Sequence, residues 1–319
     1  MKKVLITGIT GFAGSHLAEF LLAQNEFSLT GTHVSDKHLS NIEAIREQIT
    51  LTKVDLMDAE ATKKLIENTT PDIIFHLAAS TSVAESFKNP LGVIVNNTAS
   101  QLNLLEAVRI AGLTGTKIII TSSAHVYGVV SKKDLPINEE VSFKPDNPYS
   151  VSKITQDYLA LQYFIAHKLS IIRLRPFNHS GSRLSPAISI SRFAKSIAEI
   201  EKGLQPPVLK VGNLDAKRDF TDVRDIVRAY AVAVDKCTVG EAYNIGSGTA
   251  YRMQVLLDKL LALSTVAITV EEDPAFLRPS DIPELRCDVT KFHAATGWMP
   301  EISIEDSLKE TLDYWRNIV

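Results

Sequence analysis

The sequence has few cysteines, no long apolar run and no excess of basic residues, and each shortage argues against a class of protein. Its two cysteines, Cys237 and Cys287, are far apart, which argues against a disulfide framework or a zinc site and favours free thiols in a reducing compartment. A net charge of −3 without a basic cluster argues against nucleic acid or an anionic membrane as main partner. No stretch reaches the apolar length of a membrane span, and glycines and His16 interrupt the apolar N-terminus, so no signal peptide is expected. These features predict a cytoplasmic protein.

The 319 residues, 45% of them hydrophobic and 22% charged, suit one large α/β domain or two unequal ones. In the first half, short apolar runs alternate with segments of helical spacing. Strands are predicted at 2–8, 27–34, 49–56, 72–79, 116–123 and 169–176, and helices at about 14–24, 58–67, 91–112 and 148–167. Apolar strands that alternate with helices predict a parallel sheet covered on both faces.

The pattern changes after residue 176, where prolines and short strands become more frequent. A strand is predicted at 207–212, and helices at 188–203, 222–236, 252–263 and 302–317. We therefore predict a doubly wound parallel sheet in residues 1–176 and a smaller α/β lobe in residues 177–319, with some segments of that lobe free to return to the sheet.

The stretch "GITGFAG" places three glycines between a predicted strand and a predicted helix. Glycines there permit a tight turn, the approach of backbone N–H groups to a pyrophosphate, and close helix–strand packing. A turn with a packing contact is the simpler interpretation of the glycines alone, but the flanking strand and helix favour a dinucleotide site. The predicted cofactor contacts in this loop are Gly8, Gly11, Phe12, Ala13 and Gly14.

Residues that contact the adenosine half of a dinucleotide follow the second and third predicted strands. "GTHVSDK" supplies Thr32 and His33 but no acid right at the strand end, which slightly favours NADP over NAD. In "VDLMD", Asp55 is placed to bond the adenine edge and Leu56 to pack on its face, and a helix N-cap is the alternative role for Asp55. The remaining predicted cofactor contacts, at the end of the fourth strand, are Leu77, Ala78 and Ala79.

Another group of candidates combines a serine-rich strand end with a tyrosine and a lysine. In "PYSVSK", Tyr149 and Lys153 share one face of a helix that begins near Pro148. Because an ammonium stabilises a phenolate, we expect a lowered pKa for Tyr149, which would then exchange a proton with a sugar or alcohol oxygen. An exposed, solvated pair is the alternative. Against it, "TSSAHVYG" brings Ser123 to the carboxyl end of a strand, where doubly wound sheets bind ligands.

These motifs resemble the extended short-chain dehydrogenase/reductase family of nucleotide-sugar epimerases, dehydratases and reductases. The resemblance rests on "TGITGFAGSHL", "VDLMD", "HLAA", "TSSAHVYG", "PYSVSK" and "RPFN", and it covers nearly the whole chain. It implies a Rossmann-type fold, NADP or NAD as cofactor, and hydride transfer at C4 of a hexose. It also implies a catalytic triad of Ser123, Tyr149 and Lys153, in which Tyr149 and Lys153 also contact the cofactor, Lys153 at the nicotinamide ribose. It matches Asn96 to a residue that supports the active-site helix. A homodimer through two helices of the sheet domain is implied as well, and no metal site is expected.

The second half resembles the branch of that family that handles GDP-mannose derivatives, through "FNH" (177–179), "KVGNLDAKRDFTDVRDIVRAY" (210–230) and "LRPSDIP" (277–283). The resemblance places Arg218 and Arg278 on a diphosphate, which guanidinium groups suit, and Asp281 on the nucleotide ribose. A surface ion pair is the alternative for either arginine alone. The predicted substrate contacts are Ser123, His125, Asn178, Lys210, Asn213, Arg218, Arg278 and Asp281.

His125 bears on which reaction this branch member performs. The dehydratases of the branch carry a glutamate two residues after the catalytic Ser or Thr, and here that position is His125. Reduction of a 4-ketone needs only a hydride and a proton from Tyr149. We therefore expect reduction of a GDP-linked 4-keto-6-deoxyhexose, GDP-4-dehydro-6-deoxy-D-mannose, to GDP-6-deoxyhexose such as GDP-D-rhamnose, with His125 as a substrate contact. A nucleotide-sugar 4-epimerase, a 4,6-dehydratase and a non-catalytic NAD(P) sensor are the alternatives.

Overall fold

The computed structural model describes residues 1–277 and 282–319 as helices packed around a large parallel sheet. The strands are β1 (Lys2–Thr7), β2 (Phe27–His33), β3 (Thr50–Lys53), β4 (Ile73–His76), β5 (Lys117–Thr121), β6 (Ser170–Pro176), β7 (Asn178–Ser180), β8 (Val208–Val211), β9 (Lys217–Asp222), β10 (Ala242–Ile245), β11 (Ala250–Arg252), β12 (Thr269–Glu272) and β13 (Glu284–Leu285). The helices are α1 (Phe12–Leu22), α2 (Ala59–Thr69), α3 (Val83–Lys88), α4 (Pro90–Ile110), α5 (Pro148–His167), α6 (Ser189–Glu201), α7 (Val223–Lys236), α8 (Met253–Ala262), α9 (Thr290–Thr296) and α10 (Ile304–Ile318). Short 3₁₀ segments span Leu39–Gln48, Ala124–Tyr127, Lys132–Asp134 and Pro274–Phe276.

The main sheet has the strand order β10-β6-β5-β4-β1-β2-β3, and its neighbours pair in parallel. The chain runs outward from β1 through β2 to β3, and then returns to place β4 on the other side of β1. This reversal opens a crevice beyond the carboxyl ends of β1 and β4, which is where open α/β sheets bind ligands. The predicted doubly wound parallel sheet is confirmed.

Alternate residues of the buried strands feed two separate cores, one on each face of the sheet. Ile6 and Ile119 pack with residues of α1 and α7. Leu5 and Ile118 belong to the opposite core, together with residues of α2, α4 and α5. The helices on both faces bury the sheet, and only the strand ends reach the crevice.

The second half of the chain contributes to two regions. β10 joins the edge of the main sheet beside β6, and α7 packs against the sheet. The other elements form small sheets, in which β9 pairs with β7, β11 and β13, and β8 pairs with β12. Residues of α6, α8 and α10 form a separate core there, which includes Phe193, Leu257 and Trp315. The division of domains at residue 176 stays a prediction.

Within residues 1–277 and 282–319, we find no helix with the length and apolar character that a membrane crossing requires.

Candidate active site

The end of β1 delivers the glycine turn to the crevice. Gly8 has a φ of +71°, and a Cβ placed on it would lie 3.0 Å from backbone atoms of Ala78 at the end of β4. A Cβ on Gly14 would overlap the carbonyl oxygen of Gly8. The N–H of Gly11 donates to that same oxygen at 3.0 Å and closes the turn. The close approach of β1, β4 and α1 at this point therefore requires glycine.

The amino end of α1 fits an anionic group such as a dinucleotide pyrophosphate. Gly11 is its N-cap and, within the described part of the chain, no side chain caps the N–H groups of this helix end. The first turn, which starts with Phe12 and Ala13, contains no acidic residue. The first N–H groups of a helix lack partners inside the helix and carry a partial positive charge. They are therefore placed to receive a phosphate.

The end of β2 presents Thr32 and His33. Thr32 is buried, and its hydroxyl accepts the N–H of Gly8 at 3.3 Å, so it supports the glycine turn. His33 is partly exposed at the strand end. Three residues later, both carboxylate oxygens of Asp36 accept hydrogen bonds from Lys53 at 3.0 Å. Because this carboxylate forms an ion pair with Lys53, it is less available to bind the ribose hydroxyls of NAD.

The loop after β3 places Asp55 and Leu56 next to each other. Asp55 accepts the N–H of Met57 at 2.9 Å, whereas the N-cap of α2 is Asp58, whose side chain accepts the N–H of Ala61 at 3.0 Å. The alternative role of Asp55 as a helix cap is therefore wrong. Leu56 is buried in the core on the α4 and α5 face of the sheet.

The hydroxyl of Thr7 organises the end of β4. It accepts the N–H groups of Leu77 at 3.1 Å and Ala78 at 3.2 Å, and it therefore donates its proton to Nδ1 of His76, 2.9 Å away. Neutral His76 must then carry its ring proton on Nε2, and burial lowers its pKa to about 3. Ala79 follows in the same turn and is half-buried. The backbone bonds to Thr7 thus fix the position of residues 77–79, which the sequence predicts to contact a cofactor.

Ser123, Tyr149 and Lys153 come together between β5 and α5. Ser123 follows β5, and its Oγ accepts the N–H of His125 at 3.2 Å, which caps the 3₁₀ turn. Tyr149 is buried near the start of α5, with the Ser123 hydroxyl close enough to its phenol to affect the pKa of the phenol. Lys153 lies one helical turn later and donates from Nζ to the carbonyl oxygen of Thr121 at 2.8 Å. The structure therefore places Ser123, which follows β5, next to Tyr149 and Lys153 on α5.

The electrostatics of the triad differ from the sequence prediction. Burial raises the pKa of the Tyr149 phenol, and the nearby hydroxyl of Ser123 opposes this only in part. Burial also lowers the pKa of Lys153 to about 7. The lowered pKa predicted for Tyr149 is therefore wrong in this structure, because the amine of Lys153 bonds to a backbone carbonyl instead of the phenol. At neutral pH the phenol is protonated and the amine is only partly charged.

His125 lies beside this acid/base group. Its ring centroid is 6.2 Å from that of Tyr149 and the two rings meet edge to face at 70°. The side chain is half-buried on the turn that Ser123 caps. The residues between Ser123 and Tyr127 include no carboxylate, so an imidazole is the titratable group that this turn offers next to the phenol.

A buried polar contact between α4 and α5 corrects one sequence assignment. Asn97, and not Asn96, supports the active-site helix. Asn97 is fully buried and its Nδ2 donates to Oγ of Ser152 at 2.9 Å and to the carbonyl oxygen of Ser80 at 3.0 Å. Its Oδ1 accepts the N–H of Ser80 at 2.7 Å. Ser152 in turn donates to the carbonyl oxygen of Tyr149 at 2.7 Å, so Asn97 holds the first turn of α5.

On the other side of the crevice, β7 presents Asn178 and His179. The Oδ1 of Asn178 is buried and has no hydrogen-bond partner among the described residues. A buried amide oxygen calls for a donor, so this atom is suited to a ligand. The ring of His179 stacks on Phe12 of the glycine turn, with centroids 5.5 Å apart and planes 6° from parallel. Phe12 and His179 are far apart in the sequence, so no local pattern predicts this stack.

The remaining predicted substrate contacts lie on the small sheets. Arg218 is buried on β9 and donates from Nη1 to the carbonyl oxygen of Ile282 at 2.6 Å. Lys210 is exposed on β8 and forms an ion pair with Asp273 at 3.3 Å. Asn213 lies in the turn between these two strands. The structure places Arg218 on the strand next to β7, two residues from the partner of Asn178.

Two predicted contacts, Arg278 and Asp281, lie outside the described residues. Just before them in the chain, the ring of Phe276 packs under the guanidinium of Arg192 on α6, with 3.8 Å between the guanidinium carbon and the ring centroid. Neither residue belongs to a motif that predicts this contact. Among residues 1–277 and 282–319, no cluster of three or more His, Cys, Asp or Glu side chains is arranged to hold a metal ion.

Comparison with known proteins places the chain among nucleotide-sugar enzymes. The family described as GDP-mannose 4,6 dehydratase matches residues 5–311. GDP-6-deoxy-D-mannose reductase from Pseudomonas aeruginosa is 33% identical over 320 residues, which cover 100% of this chain and 98% of the relative.

Solved structures agree with this result. RMD from Pseudomonas aeruginosa, complexed with NADPH, superposes with a TM-score of 0.88 at 32% identity and covers 100% of both chains. UDP-glucose 4-epimerase from Thermus thermophilus, in complex with NAD, gives a TM-score of 0.88 at 27% identity and covers 99% of this chain and 100% of that one. The family resemblance predicted from the sequence is confirmed, and the chain belongs to the GDP-mannose 4,6 dehydratase family.

Proposed function

We propose that the protein reduces GDP-4-dehydro-6-deoxy-D-mannose at C4 to a GDP-6-deoxyhexose, GDP-D-rhamnose, with NADPH or NADH as reductant. The similar Pseudomonas aeruginosa protein is a GDP-6-deoxy-D-mannose reductase, and RMD from that organism binds NADPH. The Thermus thermophilus relative binds NAD, so the choice between the two cofactors stays open.

One observation carries the proposal: the phenol of Tyr149 is buried next to Ser123, and burial raises its pKa, which keeps it protonated at neutral pH. Reduction of a ketone ends with protonation of an alkoxide, so it requires an acid in its protonated form at the start. The dehydration of a hexose also needs a base for the C5 proton. The turn that carries Ser123 offers His125 in place of a carboxylate, which favours reduction over dehydration.

The chain has residues that fit a dinucleotide. The uncapped amino end of α1 would hold the pyrophosphate, beside the turn in which Gly8 closely approaches Ala78. Thr32 and His33 lie where the adenosine ribose is expected. When bound, the nicotinamide supplies the hydride for C4.

The residues of the triad divide the remaining work. Ser123 donates a hydrogen bond to the C4 oxygen and orients the carbonyl. Tyr149 gives its phenolic proton to the same oxygen as the charge develops there. Lys153 lies one turn from Tyr149, and a protonated amine at this place stabilises the phenolate that remains. On the opposite side, Asn178 and Arg218 would bind the diphosphate or the sugar, and His125 would contact the hexose.

The test is a coupled assay in which GDP-mannose is first converted to the 4-keto sugar by a dehydratase. We expect the protein to oxidise NADPH or NADH when this sugar is present, and proton NMR identifies the product. Tyr149→Phe should lower kcat by about 10²- to 10⁴-fold, because a general acid is lost, while the Kd of the cofactor stays similar. Tyr158→Phe, on the exposed side of the same helix, is the control and should leave kcat unchanged. If neither nicotinamide is consumed, or if Tyr149→Phe is fully active, the reductase proposal fails.

We also propose a homodimer through α4 and α5. The outer faces of both helices expose apolar side chains at spacings of four or seven residues, a pattern that suits helix pairing. These side chains are Leu91, Val95 and Leu102 on α4, and Val151, Tyr158 and Ile165 on α5. Light scattering of the protein and of a Leu102→Glu variant tests this, because the variant should be a monomer. A cytoplasmic location is proposed as well, which the two unpaired, buried cysteines suit.

A further inference from the structure

A buried chain of polar groups joins the helix that carries Tyr149 to the turn that carries Ser123. It begins at Asp157, one helical turn after Lys153 on α5, whose side chain is fully buried. Its Oδ1 accepts a hydrogen bond from Nη1 of Arg173 at 2.7 Å, and its Oδ2 accepts one from Nε of Arg175 at 2.9 Å. Nη2 of Arg175 adds a bond to Oδ1 at 3.1 Å. One carboxylate on α5 is thus clamped by two arginines of β6.

Arg175 carries the chain onward. Its Nη1 donates to the phenol oxygen of Tyr127 at 2.9 Å, and its guanidinium carbon lies 4.7 Å from the centroid of the Phe143 ring. The phenol of Tyr127 donates to Oδ1 of Asn244 on β10 at 2.8 Å. Tyr127 is fully buried. Its hydroxyl therefore accepts one directed bond and donates another, so its position is fixed from two sides.

Tyr127 is the last residue of the 3₁₀ turn that Ser123 caps. Asp157 and Lys153 lie one turn apart on α5. The chain therefore connects the two elements that must present their side chains to one substrate oxygen, yet none of its members faces that oxygen.

We infer that Asp157, Arg175 and Tyr127 are positioning residues that hold the Ser123 turn in register with Tyr149 and Lys153. The inference rests on the proposed function for its effect on turnover. A buried ion pair contributes little net stability when it is compared with apolar packing of the same volume. The contribution of this chain is geometric. Three guanidinium bonds to one carboxylate, together with the two hydrogen bonds of the Tyr127 phenol, fix the distance between α5 and the Ser123 turn, which apolar packing alone does not.

The test removes only one hydroxyl. Tyr127→Phe keeps the ring and its packing, but it breaks the links to Arg175 and Asn244. We expect kcat to fall about 10- to 100-fold, as is typical when reacting groups are misplaced by about 1 Å. The KM of the sugar and the Kd of NADPH should stay within about twofold, because neither binding site includes Tyr127. Hydrogen–deuterium exchange at residues 121–128 should become faster without any ligand.

Tyr163→Phe is the matched control. It removes a phenol hydrogen bond of a buried tyrosine near the other end of α5, the partly buried bond that Tyr163 donates to Glu106 at 2.5 Å. Its kcat and its exchange at residues 121–128 should equal those of the unaltered protein, even if its Tm falls as far as that of Tyr127→Phe. Asp157→Asn should reproduce the loss of kcat and also loosen the first turns of α5.

Two results would overturn the inference. One is a Tyr127→Phe variant with unchanged exchange at residues 121–128, since the turn would then not depend on the chain. The other is a loosened turn with kcat intact, since the contact would then be structural only. If the unaltered protein does not reduce the 4-keto sugar, the proposed function fails, whereas the exchange comparison between Tyr127→Phe and Tyr163→Phe still decides whether the chain holds the turn.

Discussion

Replacing Lys153 by methionine should stabilise the folded protein at neutral pH and flatten its stability profile at alkaline pH. Burial lowers the pKa of this amine from an ordinary value of 10.5 to about 7. In the unfolded chain the amine is solvated and keeps its proton up to about pH 10. Between pH 7 and pH 10 the unfolded state therefore binds more protons than the folded state. The free energy of unfolding must rise with pH in that interval.

The magnitude follows from the two pKa values. One proton of difference changes the free energy of unfolding by about 1.4 kcal/mol for each pH unit. For a folded value near 7 and an unfolded value near 10.5, the gain between pH 7.5 and pH 9.5 is about 2 to 3 kcal/mol. The amine is only 4% exposed, so solvent screening reduces this figure little. The titration of thiols and phenols adds its own slope, but that slope is common to the protein and the variant and cancels in their difference.

The assay is urea denaturation of the protein and of Lys153→Met at pH 7.5, 8.5 and 9.5. The difference in unfolding free energy between the two should shrink by about 2 to 3 kcal/mol from the lowest pH to the highest. Lys133→Met, at an exposed position, is the control and should give a difference that does not depend on pH. Parallel profiles for the protein and Lys153→Met would refute the reasoning, because the amine would then titrate alike in both states.

Two further predictions concern the turn and the helix that frame the site. Gly14→Ala should weaken NADPH binding about 10- to 100-fold, measured by fluorescence titration, because its Cβ would overlap the carbonyl oxygen of Gly8, whereas Gly115→Ala, with open space around it, should bind normally. Asn97→Ala should lower the free energy of unfolding by about 2 to 4 kcal/mol, since the four hydrogen bonds of its side chain are lost, while Asn96→Ala, which loses only the bond from Asn96 to Asn97, should cost less than about 1 kcal/mol. Equal losses for the two asparagine variants in urea denaturation would contradict the assignment of Asn97 as the support of α5.

The sequence predicted the main sheet well because its strands are short apolar runs bounded by turns. Predicted and observed strands differ by a few residues at most, as for 169–176 against Ser170–Pro176. β10 was missed because "AYNI" is only four residues long and contains an asparagine. That asparagine, Asn244, is buried because its side chain bonds to Tyr127 and to the carbonyl oxygen of Ile137. Such partners are distant in sequence, so a local pattern gives no sign of them.

The candidate site shows the same limit. The glycine turn and the Tyr149–Lys153 spacing are local signals, and the structure brings the predicted triad together. The pKa of Tyr149 is not a local property, because it depends on burial and on the direction in which Lys153 turns. The choice between Asn96 and Asn97 depends on which residue of α4 faces α5, and two adjacent asparagines leave that open until the helices are packed.

The structural role of α5 was difficult to predict from the sequence, because the buried face of this helix is polar. Besides Tyr149 and Lys153 it buries Ser152, Gln156 and Asp157, so polar and charged groups occupy positions where an amphipathic helix places apolar ones. Burying so many polar groups costs free energy unless each finds a partner. α4 supplies partners for Ser152 and Gln156, and β6 supplies them for Asp157.

The helix is therefore held in one register by directed bonds on both sides, where apolar packing alone would tolerate small shifts. A site that must place a phenol and a serine hydroxyl on one oxygen gains from this arrangement, because a misplacement of about 1 Å can cost about 100-fold in rate. Burying polar side chains on the inner face of α5 lowers the stability of the fold. The proposed reaction explains this cost, because it requires Tyr149 and Ser123 to be placed precisely.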